Sequence, residues 1–158
     1  MMKTLRILLV AVPIALALST ASSAVSAPLS TMTILTAHLK GSNEVGTAGA
    51  PRGRGVAIVK ISVVKVGASV KSQLCYKLTV AGFRLSANAA HIHAGRAGTN
   101  GPIALPFPRA PGRNGTSSGC TNARLPLLRA IVRHPASYYV NIHTRSYPLG
   151  AVRGQLGM

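Results

Sequence analysis

His91 and His93 stand two residues apart in the run Ala89 to Ala94, and His143 stands in a second run, Tyr138 to Thr144. Both runs read as β-strands, in which residues i and i+2 leave the same face. His91 and His93 therefore share one face while Ile92 takes the other, and Ile142 matches Ile92 as a core residue. His143 then faces away from the core with Tyr139 and Asn141. If the two strands lie close in one sheet, three imidazoles converge. Three neutral imidazole nitrogens suit copper or zinc, and a fourth position left open describes a reactive site more than a closed structural one. The competing reading is hydrogen bonding, in which the ring nitrogens tie the loop containing Gly95 and Gly98 to the sheet. The chain has no Asp and a single Glu, so backbone carbonyls or Asn141 must orient any ligand histidine. His38 reads as a sheet-surface residue and His134 as a helix-end residue before Pro135.

Other chemistries are excluded by count. A glycosidase needs two carboxylates, and a Ser-His-Asp triad needs an Asp to orient its histidine; the chain has one Glu and no Asp. Glu44, the one acid among 18 Lys and Arg, sits in positive potential. A bidentate pair with Arg153 is expected to tie the first turn to the last strand. Cys75 and Cys120 lack a CxxC spacing and read as a disulfide if the chain is exported.

The N-terminus supplies that condition. Lys3 and Arg6, the apolar core Ile7 to Leu18 and the small residues Ser19 to Ala27 have the layout of a secretory signal peptide, residues 1–24 with cleavage between 21 and 27. The apolar core is short for a bilayer crossing, and no longer one follows, so no transmembrane span is expected after cleavage. Although the net charge is +17, 47% of residues are hydrophobic, too many for a charge-dominated disordered chain.

The elements that must hold these residues have period two. Strands are expected at Thr31–Lys40, Gly55–Val64, Ser72–Val80, Ala89–Ala94, Ile103–Leu105, Tyr138–Thr144 and Ala151–Leu156. Gly46–Gly55 and Pro106–Gly119 read as loops, with one short helix capped by Asn122 and stopped by Pro135. The expectation is a single-domain all-β Greek-key sandwich or barrel, immunoglobulin-like or Cu/Zn superoxide dismutase-like, with one short helix.

Three segments carry a resemblance: Leu39 to Val45 (LKGSNEV), His91 to Pro102 (HIHAGRAGTNGP) and Tyr138 to Leu156 (YYVNIHTRSYPLGAVRGQL). In that order they resemble the CHRD domain, the chordin-type module, over residues 33–157. Where such domains usually follow the Glu-Val pair with prolines, this chain has Gly46 and Thr47. The resemblance implies a secreted β-domain without established catalysis, so a non-enzymatic binding or structural role at or outside the cell envelope is expected. The alternative is a copper- or zinc-binding redox protein using His91, His93 and His143, whose layout is similar to the HxH copper ligands of Cu/Zn superoxide dismutase. The basic surface is expected to hold anionic envelope polymers or lipid headgroups. Sequence-specific nucleic-acid recognition is not indicated, because neither a recognition helix nor an aromatic RNA motif occurs. Asn114 opens a glycosylation sequon.

Overall fold

The computed structural model describes residues 29–158, and the expected signal peptide lies outside them. Eight strands follow in chain order: β1 Leu29–Lys40, β2 Arg54–Val66, β3 Ser69–Ala81, β4 Ala89–Ala94, β5 Ile103–Pro106, β6 Thr116–Asn122, β7 Tyr138–Thr144 and β8 Tyr147–Gly157. The one α-helix, α1, runs Leu125–Arg133 between β6 and β7. All ladders are antiparallel and join into one curled sheet with the order β5-β4-β7-β8-β1-β2-β3-β6. Bringing the edges β5 and β6 together would close this into the cycle β1-β2-β3-β6-β5-β4-β7-β8, with β3 to β4 and β6 to β7 each passing over two strands. The all-β expectation holds, in its barrel-like form rather than as two stacked sheets.

Alternation builds the core. On the concave face lie Leu35, Ala37 and Leu39 of β1, Ala57, Val59 and Ile61 of β2, Leu74, Tyr76 and Leu78 of β3, with Ile92, Val140, Ile142, Val152 and Leu156 from the other half. Leu128 and Ile131 of α1 close over them and are fully buried. Pro126 enters the first turn of α1, where a missing N–H costs nothing.

Two expectations need correction. Asn122 does not cap the helix; it ends β6, and Arg124 precedes α1 without a side-chain cap. The expected loop Pro106–Gly119 and the residues after it hide that edge strand, whose Thr, Ser and Gly leave most of its surface to water. Cys75 and Cys120 are direct register partners and form the disulfide, which pins β6 to β3. Among the described residues no helix is long and apolar enough to cross a membrane.

Candidate metal centre on the outer face

The convex face of β4, β7 and β8 is also covered, by the loops between β1 and β2 and between β4 and β5. Pairing of β4 with β7 sets His93 opposite Tyr139, His91 opposite Asn141 and Ala89 opposite His143. One ring nitrogen from each of His91, His93 and His143 lies within 4.8 Å of the others. Ile92 and Ile142 point the other way and are wholly buried.

The rings are oriented by backbone. His93 Nδ1 lies 2.9 Å from the Gly101 carbonyl oxygen, and His143 Nδ1 lies 3.1 Å from that of Pro148. A carbonyl only accepts, so each Nδ1 carries the proton and each Nε2 keeps its lone pair. Those two Nε2 atoms, and Nδ1 of His91, are buried without a hydrogen-bond partner. Burial pushes all three imidazoles toward the neutral form: His91 falls to about 4, with His143 and His93 adding to the effect, and the pKa values of His93 and His143 are lowered as well. Gly101 has to be a glycine, since a Cβ there would collide with the Ala94 carbonyl. Nδ1 of His93 thus ties the loop to the sheet, while Nε2 of His93, Nε2 of His143 and Nδ1 of His91 make no hydrogen bond.

Behind His93 stands a column. Its ring stacks on Tyr139 at 4.8 Å with 8° between planes, and the Arg153 guanidinium lies 3.4 Å from the centre of the other Tyr139 face. The Tyr139 hydroxyl accepts from the Gly101 N–H at 3.2 Å.

The expected bidentate pair of Glu44 with Arg153 does not form. Arg153 donates instead to Asn100 Oδ1 at 3.1 Å and to the carbonyls of Arg96 at 3.1 Å and Thr99 at 2.6 Å. The turns of the glycine-rich loop point these acceptors at the guanidinium, which spends three hydrogen bonds on the loop and none on Glu44. Glu44 accepts from Asn141 Nδ2 at 3.4 Å through Oε2, while Oε1 has no partner. Burial raises its pKa to about 7 even though the nearby Arg153 charge and Asn141 pull it down. Gly150, at φ 142°, leaves the carboxyl its space, because a Cβ would meet Glu44 Oε2. Gln155 fastens the other side of the loop, donating from Nε2 to the carbonyls of Gly95 at 3.0 Å and Ala136 at 2.8 Å.

His38 and His134 are exposed and stand apart from this cluster, and Asn114 is exposed. Tyr139 and Asn100 join His93 and His143 in this site. Strand parity put Tyr139 on the histidine face, but only the loop conformation reveals that Asn100 meets Arg153 and reaches the Val45 carbonyl.

The family model of the CHRD domain matches residues 35–156, from the buried half of β1 to the end of β8. Neither a curated protein nor a solved structure matches the chain.

Proposed function

The chain belongs to the CHRD domain family, and from that premise we propose that it is an exported, non-enzymatic binding domain that holds a copper or zinc ion through His91, His93 and His143. The observation that carries the reading is that His91, His93 and His143, whose ligand atoms lie within 4.8 Å of one another, each have a buried ring nitrogen without a hydrogen-bond partner. A buried polar atom without a partner costs about 1–3 kcal/mol, and a shared metal ion removes that penalty at three atoms together. Carbonyls of Gly101 and Pro148 supply the orienting contacts that carboxylates often provide at ligand histidines. A copper or zinc ion would be held by these imidazole nitrogens at the usual metal–imidazole distance of about 2.0–2.1 Å. His93 and His143 also line a cavity of about 380 Å³ with Tyr139, Asn141 and Asn100, into which an open coordination position would face.

Divalent affinity at nitrogen sites rises to copper and falls at zinc, so Cu(II) binds more tightly than Zn(II). The signal-like residues 1–24 support export, and the Cys75–Cys120 bridge suits the oxidising compartment that export implies. Titration of the metal-stripped secreted protein in a calorimeter is expected to give one site with submicromolar Cu(II) affinity. His91→Ala and His143→Ala should abolish it while the circular dichroism spectrum stays that of the parent. Absence of saturable binding, or its persistence in both variants, would overturn the reading.

A further inference from the structure

The concave face of the sheet is longer than the helix that covers it. α1 places Leu128 and Ile131 on the core, but β1, β2 and β3 run on past the buried rows of the sheet. Thr31 and Thr33 continue the inward row of β1, Val63 and Lys65 that of β2, and Val70 that of β3. With α1 they bound an open groove of about 650 Å³, on the scale of small-ligand sites. Its floor is Ile61 and Leu128, both buried, and its apolar walls include Val63, Val70 and Val132.

Charge is arranged at the rim. Lys65 stands on the sheet side, and Arg129 and Arg133, four apart and so on one helix face, stand on the other. All three are exposed. The one acid of the chain, Glu44, is absent from the lining. An occupant matched to this surface has an apolar chain for the floor and an anionic head for the rim. A second copy of the chain is a poor match, because it would set basic rim against basic rim with no carboxylate between them. A bilayer surface is a poor match as well, because the floor lies in a concavity that a planar membrane does not enter.

We propose that this groove binds a single-chain anionic amphiphile of the fatty-acid class, its acyl chain along Val63, Val70 and Val132 and its carboxylate among Lys65, Arg129 and Arg133. The site is independent of the histidine cluster, which lies on the opposite face of the sheet.

Displacement of cis-parinaric acid from the secreted protein by palmitate, with chelator present, tests it. A single saturable site is expected, with butyrate failing to compete. Val63→Glu should weaken palmitate at least tenfold. Lys65→Gln combined with Arg133→Gln should weaken palmitate severalfold and leave hexadecanol unchanged. Thr33→Glu gives a second reading of the groove should Val63→Glu fail to fold. The proposal is overturned by absence of saturable binding, by palmitate affinity that is indifferent to the groove variants, or by equal losses for acid and alcohol in the Lys65→Gln/Arg133→Gln variant. A groove closed by self-association would show as a dimer that takes up no palmitate, and that result also overturns it.

Discussion

At the residue scale, the single acid and the most deeply buried base lie near each other without touching, and their separate duties have separate consequences. Glu44 carries a folded pKa near 7 against an ordinary value of 4.5 because burial penalises its charged form. The folded state therefore holds this proton more tightly than the unfolded state, and its contribution to stability falls as pH rises from about 4.5 to 7. The histidines act with the opposite sign. His91 falls to about 4 when folded, so the unfolded chain takes up that proton first and stability rises with pH from about 4 to 6.5. In Glu44→Gln only the rising branch remains. Melting temperatures in chelator should then exceed those of the parent by a margin that grows from pH 5 to pH 7; a margin that is constant across the range would refute the assignment. Arg153 is the costlier residue to lose, since Arg153→Met strands the carbonyls of Arg96 and Thr99 and removes the cation over Tyr139. Denaturant titration should show a loss of about 3 kcal/mol. In a Glu44→Gln/Arg153→Met double-mutant cycle the coupling should stay below about 1 kcal/mol, because the pair interacts only through space.

At the element scale, the histidine face was readable because two strands with a hydrophobic inner row leave no choice about their outer row. Ile92 and Ile142 settle the parity, and His91, His93, Tyr139, Asn141 and His143 follow from it. Ile92→Ala and Ile142→Ala should each cost about 2–5 kcal/mol by chemical denaturation, the range for emptying a buried aliphatic site. Costs below 1 kcal/mol for both would mean that the inner row had been misassigned. What hid β6 was the lack of such a row: its Thr, Ser and Gly residues alternate between exposed and half-buried, and what holds it in register is pairing with β3 rather than apolar content. The partners of Arg153 were hidden for another reason. They are carbonyls, every residue has one, and only the path of a loop decides which of them point inward. The β6 edge should depend heavily on its covalent tie. Replacing both Cys75 and Cys120 with Ala should lower stability by about 4 kcal/mol at most, the chain-entropy value for a loop of this span, less any relief of native constraint.

At the scale of the whole molecule, burial and charge are sorted with little mixing. Apart from Arg153, every lysine and arginine among the described residues is exposed, and the charge of the whole chain is +17. Neither the groove nor the histidine centre accounts for so large an excess. Arg52 and Arg54 lie at one turn of the sheet, Arg109 and Arg113 in the loop before β6, and Arg124, Arg129 and Arg133 in and beside α1, so positive potential surrounds the barrel instead of forming one stripe. A surface of this kind attracts flexible polyanions through release of their condensed counterions and reads no sequence in them. Binding of the protein to polyphosphate, followed by fluorescence anisotropy, should weaken steeply and log-linearly between about 50 and 200 mM salt. Arg52→Gln with Arg54→Gln should make the slope shallower and leave Cu(II) affinity at the histidines unchanged, since those side chains lie on the turn into β2 and not against β4 or β7. Affinity insensitive to salt would show that the polyanion is held by a specific pocket and not by the field of the surface.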